Sequence, residues 1–147
     1  ALRQVEGAYS LVAMTQKKLI GVRDPRGVRP LVLGKLDSAY ILASETCALD
    51  IIDAEFIRDV EPGEIVVIDN DGIQSIKPFA KLKDRFCIFE YIYFARPDSM
   101  MEGKNVYEVR KRIGAELAKE KHVPADLVVP VPDSGVPAAI GYAEESK

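Results

Sequence analysis

The sequence predicts a β-rich antiparallel unit followed by the opening of an α/β unit. Through residue 76, short apolar runs alternate with turn signals at the spacing of hairpins. After residue 105, a helical period passes into a continuous apolar run and then at once into a second helical stretch, the order of a parallel sheet flanked by helices. The 147 residues are 48 % hydrophobic, enough to bury the core of one domain, or of one domain plus part of another. The formal net charge of −3 argues against a dedicated nucleic-acid binder. No apolar run approaches the ~18 residues of a membrane span, and the opening residues from Ala1 to Glu6 lack signal-peptide anatomy.

The elements follow in order. Gly7–Met14 and Leu19–Arg23 flank the polar link Gln16-Lys17-Lys18 and predict a hairpin. Asp24-Pro25-Arg26-Gly27 has turn chemistry: an acceptor first, a fixed φ second and a glycine last. Leu31–Gly34 and Tyr40–Ser44 predict a second pair of strands, and Glu45–Ile52 a short helix. Glu61-Pro62-Gly63-Glu64 predicts a turn, and Asp69-Asn70-Asp71-Gly72 closes a hairpin between Ile65–Ile68 and Ile73–Ile76. Phe79–Arg85 reads as a linker. Phe86–Ala95 carries five of the eleven aromatic residues and is expected to lie in a core. Arg96-Pro97-Asp98-Ser99 breaks that run with a turn. Asn105 and Glu108 form a capping-box signature for a helix reaching about His122. Val106, Val109, Ile113 and Leu117 are its expected apolar face, Glu108 and Arg112 an outer pair, and Arg110-Lys111-Arg112 a solvated basic face. Ala125–Pro132 predicts a buried strand, and Pro137–Ala143 a helix with proline near its start.

Sites of chemistry are few. Cys47 and Cys87 are forty residues apart, with neither CxxC spacing nor a disulfide framework, and read as free thiols. The single histidine, His122, falls at a helix end. Arg26 and Arg29 either bind an anion or hold their own turn through carbonyls. The strongest local signal is Asp133-Ser134-Gly135, between the expected strand and the following helix. A helix start after a strand end offers unpaired N–H groups and a partial positive charge. Gly135 admits close backbone approach, and Ser134 can cap the helix or offer its hydroxyl to a metal–phosphate. The loop therefore reads either as a phosphate cradle or as a plain βα turn with a serine cap; it lacks the P-loop and Rossmann spacings.

Taken together, several segments resemble the glutamine phosphoribosylpyrophosphate amidotransferase family. They are RDPRGVRPLVLG at 23–34, ASE followed by CALD at 43–50, RDVEPGE at 58–64, FEYIYFARPDS at 89–99 and PVPDSG at 130–135. The similarity runs along essentially the whole chain. It implies the C-terminal part of an N-terminal-nucleophile glutaminase domain, of layered α/β/β/α architecture, over 1–80. The first elements of a type I phosphoribosyltransferase domain would follow over 81–147. The implied activity is synthesis of 5-phosphoribosylamine from phosphoribosylpyrophosphate and glutamine-derived ammonia, in purine biosynthesis.

The resemblance makes Asp133, Ser134 and Gly135 the pyrophosphate loop, with the Ser134 hydroxyl near Mg²⁺. It sets Cys87 where some members hold one ligand of a [4Fe–4S] cluster, and Tyr91, Tyr93 and Phe94 where the two domains join, beside a path for ammonia. It further implies a cytoplasmic homo-oligomer acting on glutamine and phosphoribosylpyrophosphate, with no membrane or nucleic-acid partner. The family's nucleophile is an N-terminal cysteine whose own amine serves as base; here Ala1 stands first. The expectation is an internal piece with no catalytic residue of its own, inactive in isolation. The alternatives are a non-catalytic β-rich interaction module, docking through Phe86–Phe94, and a piece of another glutamine amidotransferase.

Overall fold

Thr15 shows how the first hairpin forms: its Oγ1 accepts from the N–H groups of Lys17 (3.3 Å) and Lys18 (3.0 Å) and reverses the chain. In the computed structural model, which describes residues 2–147, this turn joins β1 (Ser10–Met14) to β2 (Leu19–Arg23) in antiparallel register, Leu11 opposite Val22. Ala1, which stands first where the family has its terminal cysteine, lies outside the described residues. The chain divides into two compact units, the first running through Cys87 and the second Ile88–Lys147.

The first unit holds two antiparallel sheets. One has the order β1-β2-β6-β7, with β6 (Ile65–Asp69) and β7 (Gly72–Ile76) forming the Asp69–Gly72 hairpin. The other has the order β4-β3-β5, with β3 (Val32–Leu36) and β4 (Ala39–Ala43) paired as expected. The helix expected over 45–52 narrows to α1 (Cys47–Asp50), which buries Cys47 and Leu49. β5 (Glu55–Asp59) has no counterpart in the sequence reading. Its apolar residues Phe56 and Ile57 are adjacent rather than alternating, so period-2 reasoning passes over it; pairing with β3 is what makes it a strand. The core comprises Leu31, Leu33, Val60, Val66 and Ile68, joined by Leu19, Tyr40 and Leu42. Val66 and Ile68 share one face of β6, so a single register of that strand buries both.

A buried carboxylate ties β5, β6 and β7 together. Glu64 is 1 % exposed. Arg58 donates to both of its oxygens (2.8 and 2.7 Å), Ser75 Oγ donates at 2.6 Å and the Glu61 N–H at 2.8 Å. Burial pushes this carboxyl up, but the bonds from Arg58, Ser75 and Glu61 outweigh it and hold the value at about 2. Because that lies below the ordinary 4.5, the stabilisation is complete above pH 4.5 and is lost as pH falls toward 2. Solvent at half-exposed Arg58 screens the pair, so we expect about 2 kcal/mol. In urea titrations at pH 7 and pH 3, the native chain should lose most of that increment relative to Glu64→Gln. Parallel pH profiles for the two would contradict it.

The second unit corrects four expectations. The aromatic stretch is not a core within this chain: Phe89, Tyr93 and Phe94 are 53, 67 and 50 % exposed. A π-helical turn, Glu90–Phe94, directs Glu90 inward instead, and the exposed rings pack on one another, Phe89 to Phe94 at 5.9 Å between centroids. The expected turn at 96–99 leads into a small hairpin, β8 (Met100–Met101) and β9 (Lys104–Asn105), which was not foreseen. Asn105 caps α2 (Val106–Glu120), its side chain accepting from the Glu108 N–H at 3.1 Å.

The buried face of α2 is not the expected one. Val106, Arg110, Gly114 and Ala118 are buried, whereas Ile113 and Leu117 are 45 and 51 % exposed. Small residues win because α3 (Val136–Glu145) crosses very close. A Cβ on Gly114 would lie 1.8 Å from the Ala138 carbonyl oxygen, and one on Gly141 would lie 1.9 Å from that of Lys111. Lys111 makes a cross-helix ion pair, to Glu144 at 2.9 Å.

Arg110 is not solvated either. Its Nε donates to Tyr91 O and its Nη2 to Ala95 O at 2.8 Å, and Nη2 also reaches Glu90 O at 3.4 Å, which already accepts from the Ala95 N–H at 3.0 Å. Finally, 125–132 forms no strand. Leu127, Val129 and Val131 are 75, 74 and 82 % exposed. An extended run becomes a strand only when a neighbour satisfies its backbone groups.

Candidate functional site

The loop at 131–135 begins α3. Gly135 N–H donates to Val131 O (3.3 Å) and Val136 N–H to Asp133 O (3.2 Å), closing a turn; neither the Asp133 nor the Ser134 N–H is among these donors. The peptide between Pro132 and Asp133 is cis. Gly135, not Ser134, is the N-cap, and no side chain caps the helix, which corrects the serine-cap reading. The Ser134 hydroxyl is thus not engaged in capping. A Cβ at Gly135 would lie 2.7 Å from Val131 O, so glycine here answers crowding by the chain's own backbone. Pro137 sits in the first turn, where it has no N–H to lose. Asp133 is exposed and Ser134 half-buried. Beside the loop runs an apolar groove of about 560 Å³, with Ile113, Leu117, Val128, Pro130 and Ala139 in its walls.

The structure keeps Asp133, Ser134 and Gly135 together at one helix start. Their donors, a carboxylate and a hydroxyl, are hard oxygens of the kind that suit Mg²⁺, which binds through one or two protein oxygens plus phosphate and water. A [4Fe–4S] cluster does not fit the thiols described: it needs four cysteine ligands, and Cys47 is buried, its Sγ 3.8 Å from Glu45 Oε2. Cys87 is half-buried in the first unit. Among the described residues no group of three or more His, Cys, Asp or Glu could hold a metal ion.

Sequence reasoning missed two groups. One is Arg110. The signal available was its position four residues after Val106 and four before Gly114, on what proves to be the packed face. The other is Arg23, 3 % exposed beside Asp24, the turn acceptor that the sequence did mark. The reading weighed Arg26 and Arg29 as holders of their turn, but Arg23 does that work. It donates to Arg29 O (2.9 Å), Val60 O (2.8 Å) and Gly27 O (3.1 Å). Asp24 accepts from the Arg26 and Val28 N–H groups, both at 2.9 Å.

No family model matches the chain. Comparison with individual proteins finds the chain similar to one segment of several phosphoribosyl-transferring amidotransferases. The particular relatives are amidophosphoribosyltransferases. That of Rhizobium etli is 60 % identical over 99 % of this chain and 30 % of its own length. That of Mycobacterium tuberculosis strain H37Rv is 53 % identical over 99 % of this chain and 27 % of its length. A soybean (Glycine max) relative, described as chloroplastic, is 52 % identical over 99 % of this chain and 26 % of its length. The solved structure of the glutamine phosphoribosylpyrophosphate amidotransferase from B. subtilis, complexed with ADP and GMP, superposes with a TM-score of 0.95. It is 46 % identical, over 99 % of this chain and 32 % of that one. The chain is therefore homologous, along nearly its whole length, to a segment of amidophosphoribosyltransferases and spans less than a third of their length.

Proposed function

We propose that this chain is the part of a glutamine-dependent amidophosphoribosyltransferase that ends the glutaminase domain (1–80) and opens the type I phosphoribosyltransferase domain (81–147). The whole enzyme hydrolyses glutamine to glutamate and ammonia. The ammonia then displaces pyrophosphate from phosphoribosylpyrophosphate, giving 5-phosphoribosylamine for purine synthesis. The 60 % identity to the Rhizobium etli enzyme over 99 % of the chain carries this reading. The cytoplasm is the location we propose, and no described helix is long and apolar enough to cross a membrane. Assembly into a homo-oligomer is part of the same proposal.

Within that enzyme, Asp133–Gly135 binds the pyrophosphate group. The start of α3 supplies N–H donors and the positive end of its dipole to the anion. Gly135 lets the loop close tightly on itself, and the Ser134 hydroxyl with Asp133 supplies the protein oxygens for Mg²⁺. When bound, Mg²⁺ neutralises charge on the departing pyrophosphate. Cys87 is proposed as an iron–sulfur ligand only if three further thiols from the rest of the protein reach it.

The test uses the full-length enzyme containing this segment. Ser134→Ala should raise KM for phosphoribosylpyrophosphate several-fold, and Gly135→Val by at least about 10-fold, with glutamine hydrolysis and the thermal transition of Ser134→Ala unchanged. An unaltered KM in both variants removes the loop from the site. A wild-type protein that releases no pyrophosphate from phosphoribosylpyrophosphate overturns the enzyme assignment itself.

A further inference from the structure

The turn at 24–29 does more than reverse the chain. Its interior is built from two buried charged residues whose bonds reach in three directions. Asp24 holds the turn's own amides, and its carbonyl accepts from the Gly63 N–H at 2.9 Å. Arg23 reaches Val60 O at 2.8 Å, so the turn is pinned to the 60–63 segment. On the turn's outer edge two carbonyls remain, and both are taken by the end of the linker. Arg26 O accepts from the Arg85 N–H at 2.7 Å, and Val28 O accepts from the Cys87 N–H at 3.3 Å. The donors are alternate residues, as along one edge of a strand, yet no strand forms there. The residues just before them, 80–84, are exposed and have no regular structure.

We infer that the Arg23–Asp24 turn is a positioning clamp. It fixes where and in which direction the chain leaves the first unit at 85–87, and this matters for coupling the two half-reactions. The inference rests on the function proposed above. The exposed linker 80–84 with no backbone partner after it would leave that exit free to wander over several ångströms. Two hydrogen bonds onto a rigid, internally satisfied turn remove this freedom. Two buried charged side chains, each bonded to backbone groups, are a costly way to build an ordinary turn; here they make a fixed anchor. Ammonia released in one active centre is used in another, and such transfer tolerates little misplacement.

The clamp is opened most cleanly by removing an N–H donor. Arg85→Pro deletes the donor to Arg26 O and leaves Arg23 and Asp24 untouched. Lys83→Pro, two residues earlier and outside the clamp, is the control for a stiffened linker. In the full-length enzyme, glutamate and pyrophosphate are measured together; the coupled reaction yields one of each. Arg85→Pro should raise the ratio of glutamate to pyrophosphate at least about threefold, with the thermal transition and ammonia-dependent pyrophosphate release matching those of Lys83→Pro. A ratio equal to that of Lys83→Pro overturns the inference. A parallel fall in glutamate, pyrophosphate and thermal stability also overturns it, because the bond would then be merely structural. Failure of the parent reading is distinct: the wild-type enzyme would then make neither product.

Discussion

Gly141→Ala, normally a stabilising change inside a helix, is expected to destabilise the second unit by about 3–5 kcal/mol. Alanine exceeds glycine by about 1 kcal/mol in helix propensity, so the sign itself is the test. The added methyl would sit 1.9 Å from Lys111 O and 3.2 Å from Ala115 N, both backbone atoms of α2 that cannot rotate away as a flexible side chain would. The helices must part, and parting them exposes Val106 and Ala118, which are 0 and 4 % exposed. Gly114→Ala should behave alike, since its methyl would lie 1.8 Å from Ala138 O. The double variant should cost far less than the sum, because once the helices separate the second methyl meets nothing. Urea denaturation followed by the helical circular dichroism signal measures all three. Additive losses, or a gain in stability for either single variant, would show that the crossing is looser than described.

Arg110→Met is expected to cost about 3 kcal/mol and to free the π-helical turn specifically. Methionine replaces the bulk of the arginine stem but none of its donors. The Tyr91 and Ala95 carbonyls then lose their bonds in a buried setting, and each unsatisfied group costs about 1–3 kcal/mol. Lysine should rescue only part of the loss, because an ammonium cannot span carbonyls that a planar guanidinium bridges. Amide hydrogen exchange resolves the effect: peptides over 88–99 should lose protection while those over α3 keep it. Loss of protection spread evenly through the unit would assign Arg110 to general packing instead.

Much of the first unit was legible because its signals are local. The 15–18 and 69–72 turns carry their own chemistry, and a hairpin places its two strands by turn alone. The Asn105 cap was legible for the same reason: acceptor and donor lie three residues apart. β5 was not legible, since Phe56 and Ile57 carry no period and only the edge of β3 recruits them. The face of α2 misled because hydrophobicity marks Ile113 and Leu117, whereas a close helix crossing selects Gly114 and Ala118. The loop at 133–135 was legible as a place, a turn opening a helix. Its detail was not, because Gly135 rather than Ser134 takes the cap position.

The sequence by itself determined the three hairpins of the first unit, the start of α2, the position of the 133–135 loop and the family resemblance. Each rests on residues near one another in the chain or on an ordered string of them. Only the tertiary structure decided which charged residues go inside. Arg23, Asp24, Glu64 and Arg110 are all buried, though polarity alone would put every one of them in water. A charged group is buried only where bonds replace its hydration. For Arg23 and Arg110, those bonds come from carbonyls up to 37 and 20 residues away along the chain.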